Sequence, residues 1–319
     1  MSDNPETPLD ATQLAAQEQF SKQSYRYGKG HILEDTSDIR AALEGVTLPD
    51  KARILDISTG GGHTALFFAD QGHAVTASDI SGAMLARVQA VATERGLAIE
   101  TRQHPAEALP YDDGTFDLVA CRVAAHHFSS PSRFVREAAR VLKVGGVFLL
   151  IDGSVADEEP EAELWMHRVE KFRDPSHSRF LTPGALKRLC GPAGLDVKRC
   201  ELHPMKQPDL EWYFDTADTS PENRLQVLDL VMRAPDSALR LFQINIEEDE
   251  RIVWWWQRLT LVATKKDLPP PAPEPVAAAE PGNVSAVSAG PETTAPSVNP
   301  EAPVIAATPA EEPPTANPS

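Results

Sequence analysis

The feature that most limits how this chain can fold is an alternation of two hydrophobic periods between residues 52 and 152. Short apolar runs that end in turn residues, at 52–57, 74–79, 97–101, 115–121 and 146–152, read as buried strands. Between them, residues 63–71, 82–95 and 131–142 have helical spacing; Met84, Leu85, Val88 and Val91 fall on one face, and Pro131 opens the third helix. Strand and helix alternating at this interval predict a parallel sheet with helices on both faces. Such a sheet binds ligands outside the carboxyl ends of its strands, where the strand order reverses. Residues 161–172, 182–190 and 221–232 also read as helices, 195–203 as a strand, and 251–264 as a closing strand. Trp254, Trp255 and Trp256 alternate between the two faces of that last strand, a packing role.

Composition sets the limits of the folded part. From residue 267 to 319 the chain has no aromatic residue, Lys or Arg, and holds 14 of the 28 prolines. A segment like this buries too little apolar surface to offset its ordering entropy, so 267–319 is expected to be a disordered tail. Residues 1–266 are expected to form one domain, with a core at 51–152 and a cap with closing strands at 153–266. The formal charge of −17 disfavours nucleic acid and anionic membranes as partners. No apolar run approaches the roughly 20 residues of a membrane span. The polar N-terminus is unlike a secretory presequence, and three widely spaced cysteines, Cys121, Cys190 and Cys200, provide neither a disulfide framework nor a metal cluster. A cytoplasmic protein, monomeric or homodimeric, with no metal is the expectation.

The most informative segment is Ile54-Leu55-Asp56-Ile57-Ser58-Thr59-Gly60-Gly61-Gly62-His63. A strand delivers an acid at its carboxyl end, and a glycine turn then opens a helix whose free N–H groups suit an anion. Asp79 closes the next strand 17 residues after Gly62, where a carboxylate can accept both hydroxyls of a ribose. A dinucleotide would want a third glycine at position 65, which is Ala, a replacement that pattern sometimes tolerates. At this point a dinucleotide and a mononucleotide ligand both remain open.

Five segments in order narrow the choice: Leu55 to Gly62; Ala77-Ser78-Asp79-Ile80-Ser81 with Met84-Leu85; Ala106 to Tyr111 with Phe116-Asp117; Cys121 to Phe128; and Arg140 to Gly146. Together they resemble the class I S-adenosylmethionine-dependent methyltransferases, of the broad group that includes ubiquinone/menaquinone C-methyltransferases. The stretches Phe172 to His177, Leu181-Thr182-Pro183 and Trp212 to Lys265 resemble a subgroup of them. The resemblance implies a Rossmann-like, doubly wound, mostly parallel α/β sheet with an antiparallel closing strand and a helical cap. It implies S-adenosylmethionine as cofactor, with Asp56 and the backbone of Ser58, Gly60 and Gly62 facing its methionine part. Asp79 would take the ribose hydroxyls, Ile80 and Met84 would pack on the adenine, and the Ala106 N–H would meet a ring nitrogen. Arg122 would stand near the methionine moiety through its backbone. Ser58 stands where relatives have Gly or Ala, and Val144 where many have Pro. Pro105 occupies the place of the Asp or Asn that accepts the adenine amino group, leaving backbone, packing, His104 or Glu107 to hold the ring.

Methyl transfer from a sulfonium is mostly alignment in a dry pocket, and a base is needed only where the acceptor must lose a proton. His127 and His126, after the fourth strand, are the candidates. His31, His177 and Arg179 are candidate lining residues for a small-molecule methyl acceptor, and Tyr25 and Tyr27 candidate lid residues. Two rivals stand beside methylation: an NAD(P)-dependent oxidoreductase, and a non-catalytic protein that binds S-adenosylmethionine.

Overall fold

A computed structural model of the chain describes residues 8–27 and 31–267. Apart from Asp267, the expected tail lies outside the described residues. In chain order the helices are α1 (Ala11–Gln23), α2 (Ser37–Ala42), α3 (His63–Ala69), α4 (Gly82–Glu94), α5 (Pro131–Val141), α6 (Pro160–Arg173), α7 (Pro183–Cys190), α8 (Leu210–Ala217), α9 (Pro221–Met232) and α10 (Asp236–Leu241). The strands are β1 (Arg53–Ile57), β2 (Ala74–Asp79), β3 (Ile99–Gln103), β4 (Phe116–Arg122), β5 (Leu142–Ser154), β6 (Leu195–Lys206), β7 (Asn245–Ile246), β8 (Ile252–Val253) and β9 (Trp255–Lys265). Seven strands make one sheet in the order β3-β2-β1-β4-β5-β9-β6, and β7 pairs with β8 in a separate ribbon. Pairing is parallel from β3 to β5, whereas β9 runs antiparallel to both β5 and β6. This is the Rossmann-like sheet with an antiparallel strand expected from the sequence.

The twofold period of the strands divides the apolar side chains between two layers. Leu55, Ile57 and Val119 point into a core with Phe134, Val135 and Phe148, on the side of α5. Ile54, Leu118 and Ala120 point into the opposite core with Ile39, Phe68 and Val88, on the side of α2, α3 and α4. The chain leaves β1 toward β2 and β3 and later returns to the other side of β1 as β4. The strand order therefore reverses between β1 and β4, whose ends lie level at the pair Ile57–Cys121. At that reversal no crossover connection covers the strand ends, and a crevice opens.

A third core lies beyond the sheet, in the cap. Trp165 and Met166 from α6, Tyr213 and Phe214 from α8, and Val227 from α9 pack with Phe180, Trp254 and Trp256. Trp254 and Trp256 are buried there and Trp255 is half-buried on the other face, so the tryptophan run packs as expected. Among the elements not expected are helices α2, α8 and α10 and the two-residue strand β7; α8 and α10 are short helices that pack in the cap. The described residues belong to one compact unit, Met1–Pro269.

Candidate active site

The site is built on the loop between β1 and α3. Ser58, Gly60 and Gly62 all take left-handed backbone angles (φ 53°, 53° and 85°), which carry the chain from the strand end into the helix. The Thr59 hydroxyl donates to Asp56 at 2.6 Å. At the end of β2, Asp79 accepts the Gly60 N–H at 3.0 Å and the Ser81 N–H at 2.8 Å, tying the glycine turn to the second strand. Burial pushes the Asp56 carboxyl up to about 7, against the Thr59 and Ala65 hydrogen bonds and the Arg122 charge. Burial likewise pushes Asp79 up to about 6, against the N–H groups of Ser81, Gly60 and Ile80. Among the described residues, neither acid has a salt-bridge partner.

Above the turn lies a cleft walled by the β1–α3 loop, the end of β2, the turn after β4 and the N-terminal segment. Its rim is the N-terminal segment: Phe20 of α1 meets the edge of His127 at 4.8 Å, and Tyr27 lies over the glycines. Helix α1 is fastened by Gln17 to the Ile80 carbonyl (2.9 Å), Ser21 to Ser81 (2.9 Å), Gln13 to Glu107 (2.9 Å) and Gln23 to the Ala217 carbonyl of the cap (2.8 Å). On the far wall Val123, a β-branched residue, holds φ 55° just past β4. Such an angle costs of order 1 kcal/mol or more and marks a wall shaped for more than packing.

Of the residues singled out in the sequence, Asp56, Ser58, Gly60, Asp79, Ile80, Met84, Ala106, Glu107, Arg122, Tyr27 and His127 line this cleft. Others do not. A Cβ on Gly62 would stand 2.9 Å from Val88 of α4, so this glycine serves the turn and the packing behind it. His31 accepts the Leu33 N–H (3.2 Å) and stacks between Tyr27 and His63, outside the lining. His177 is buried within the cap behind His126 and His127. Arg179 is 61% exposed and paired with Glu163 at 3.2 Å, and Tyr25 is exposed, its ring facing Arg26; neither reaches the cleft. His126 is also off the lining: its Nδ1 sits 2.6 Å from Asp152 and its N–H donates to the same carboxylate at 3.0 Å.

Comparison with known proteins decides what such a cleft belongs to. Residues 55–150 match the family described as methyltransferase domain. The uncharacterised methyltransferase YcgJ of Bacillus subtilis is 37% identical over 161 residues, half of this chain and 63% of YcgJ; in sequence the chain thus spans under two thirds of that relative. Ubiquinone biosynthesis O-methyltransferase of Pseudomonas paraeruginosa is 31% identical over 169 residues, half of this chain and 69% of the relative. The crystal structure of YcgJ superposes with a TM-score of 0.67 at 27% identity, over 73% of this chain and all of YcgJ. A putative methyltransferase of Bacillus halodurans also gives 0.67, at 30% identity, over 72% of this chain and 99% of its own. The chain belongs to the class I S-adenosylmethionine-dependent methyltransferases.

Within this methyltransferase fold, both polar side chains beside Pro105 already have hydrogen-bond partners. His104 is committed at both ring nitrogens, to the Pro105 carbonyl (3.0 Å) and the Tyr111 hydroxyl (2.9 Å). The Glu107 carboxylate accepts the N–H groups of Ser129 (2.9 Å) and Ser130 (3.3 Å) and the Gln13 amide, tying the start of α5 to helix α1. The Arg122 guanidinium pairs with Asp38 (2.9 Å) and donates to the Leu33 and Asp35 carbonyls, clamping the N-terminal segment to the sheet.

The two adjacent histidines of the methyltransferase are pushed in opposite directions. Burial opposes charge on His126, but Asp152 outweighs it, by its charge and its hydrogen bond, and raises the imidazole. Burial and then the charge of His126 push His127 down to about 4. Paired groups pushed apart in this way are a signature of acid–base sites. Sequence reasoning missed Thr59, Phe20 and Gln13 on the lining and Asp174 and Ser176 behind His127. For the last two the Asp-Pro-Ser turn signal was available; for Phe20 nothing local distinguishes it from a packing residue.

Proposed function

We propose that this protein binds S-adenosylmethionine in the cleft and transfers its methyl group to a small-molecule acceptor whose oxygen or carbon nucleophile carries a proton. The observation that carries the reading is the pair of buried, salt-bridge-free carboxylates, Asp56 and Asp79, on either side of a glycine turn at the point of strand reversal. A buried acid pushed up to about 7 is stabilised by a cationic group, and the ammonium of the cofactor is such a group. Asp79 would take the ribose hydroxyls, and Ile80, Met84 and the Ala106 backbone would hold the adenine. The fit at the turn is close: a Cβ on Gly61 would stand 2.2 Å from the Tyr27 carbonyl oxygen, so only glycine leaves room for the lid to settle there. When bound, the cofactor supplies an electrophilic methyl group. The chain's own work is to exclude water with Phe20 and Tyr27, to orient the acceptor, and to accept its proton at His127.

An oxygen acceptor finds support in the likeness to ubiquinone biosynthesis O-methyltransferase. No helix among the described residues is long and apolar enough to cross a membrane, and the three cysteines are free; both accord with work in the cytoplasm on a diffusible metabolite.

The test is a thermal shift. S-adenosylmethionine at about 100 times its dissociation constant stabilises by about 2.7 kcal/mol, which for a domain of this size raises Tm by roughly 5–10 °C. Asp79→Ala abolishes that rise, and NADH gives none with the unaltered protein. An undiminished rise in the variant would remove Asp79 from the site. Replacing His127 by Ala lowers methyl incorporation from labelled S-adenosylmethionine into a metabolite extract by about 10²-fold or more, while cofactor affinity stays unchanged; equal incorporation would remove it as the base.

A further inference from the structure

His127 ends the helical turn Ala125–His127 after β4, with one side in the cleft and the other against the chain leaving α6. Its Nδ1 lies 3.1 Å from the Ser176 oxygen. The Ser176 hydroxyl is in turn 2.6 Å from Asp174 Oδ1, which also accepts the Ser176 N–H at 2.9 Å. All three side chains are buried. Against the push of burial, the Ser176 hydrogen bonds and the Arg173 charge help hold Asp174 below the usual carboxylate range, so it is an ionised acceptor even beside a neutral His127.

The directions of these hydrogen bonds follow from what each group can give. A carboxylate has no hydrogen, so the short contact to Asp174 takes the Ser176 hydroxyl hydrogen. The Ser176 oxygen then offers the imidazole only lone pairs, and Nδ1 must supply the hydrogen. A neutral imidazole has one N–H, which leaves the lone pair on Nε2. Among the described residues nothing hydrogen-bonds to Nε2, and the ring lines the cleft.

We propose that Asp174 and Ser176 are positioning residues that lock His127 in its Nδ1–H tautomer and so present the Nε2 lone pair to the acceptor. This rests on the reading of His127 as base given under the proposed function, and it adds which ring nitrogen takes the acceptor's proton. In the step, the acceptor's bond to hydrogen breaks, its electron pair becomes the nucleophile, and the proton forms a bond to Nε2. The imidazolium that results points its Nδ1–H along Ser176 toward the Asp174 charge, and later loses the Nε2 proton to water.

The experiment uses the full chain labelled with ¹⁵N-histidine, and long-range ¹H–¹⁵N spectra at pH 7 that distinguish the two tautomers. The His127 resonances are assigned by their loss in His127→Asn. In the unaltered protein the Nδ1–H form exceeds the other by about tenfold, the worth of one hydrogen bond. Ser176→Ala reduces that excess to a near-even mixture, and Ser176→Thr, which keeps the hydroxyl, restores it. An Nε2–H tautomer in the unaltered protein, or an unchanged excess in Ser176→Ala, overturns the positioning role. Calorimetry of S-adenosylmethionine binding to the same samples separates the two readings. Its absence from the unaltered protein sinks the proposed function, whereas a wrong tautomer with binding intact sinks only the role of Asp174 and Ser176.

Discussion

Gly61 and Gly62 are neighbours in one turn, yet physics asks different things of them. Gly62 is left-handed (φ 85°), and a side chain there would also press on Val88. Gly62→Ala is expected to destabilise the fold by about 1–3 kcal/mol, from backbone strain plus overpacking, measured by denaturant unfolding. Gly61 has no left-handed angle to defend; what it lacks room for is a Cβ against the Tyr27 backbone. Gly61→Ala should therefore displace the lid rather than the turn. The expected result is a Tm within a few degrees of the unaltered protein and S-adenosylmethionine binding weakened about tenfold or more. Equal losses of stability in the two variants would show that the lid does not rest on the turn.

At the scale of elements, what could be read from sequence divides by how local the cause is. Strands β1, β2 and β4 were legible because apolar runs, an acid and glycines lie within a few residues of one another. The cleft acids Asp56 and Asp79 came with them. The Asp174–Ser176 link was not legible, since Ser176 follows His127 by 49 positions and only the cap brings them together. Arg179 was placed in the acceptor pocket beside His177, but two residues along an irregular segment can face opposite ways, and here one is buried and the other exposed. Helix α1 gave no apolar stripe to read. Its buried residues are Ala16 and Gln23, and polar side chains fasten it to core and cap alike. A helix held by hydrogen bonds at a rim opens more readily than one packed in a core such as α5. Amides of α1 should therefore exchange with solvent faster than those of α5. Saturating S-adenosylmethionine should slow α1 exchange about tenfold or more by mass action and leave α5 unaffected. Unchanged exchange in α1, read by mass spectrometry of peptides, would argue that this helix is no lid.

For the whole molecule, burial acts on acids and imidazoles with opposite signs, and the balance sets how stability varies with pH. Burial lowers His31, His104 and His127 to about 4, and also lowers His63, His167 and His177. Between pH 6.5 and about 4 the unfolded chain protonates these six imidazoles while the folded chain resists, so they cost stability as pH falls. Burial raises Asp56 to about 7 and Asp79 to about 6, and raises Glu170. In that window the folded chain keeps protons on these three that the unfolded chain has lost, so they cost stability as pH rises. Six groups outweigh three, and Tm is expected to climb from pH 4.5 to 6.5. The cofactor changes the sum. If Asp56 faces its ammonium and Asp79 its ribose, binding favours both ionised forms and removes two of the three opposing groups. Tm should then climb more steeply with pH at saturating S-adenosylmethionine than without it. By the same linkage, binding at pH 6 should release about one proton, and affinity should fall as pH drops below 6. Calorimetry in buffers of different ionisation enthalpy reads that proton directly. No release, or an uptake, would mean that the two acids do not meet the cofactor, whatever the rest of the cleft resembles.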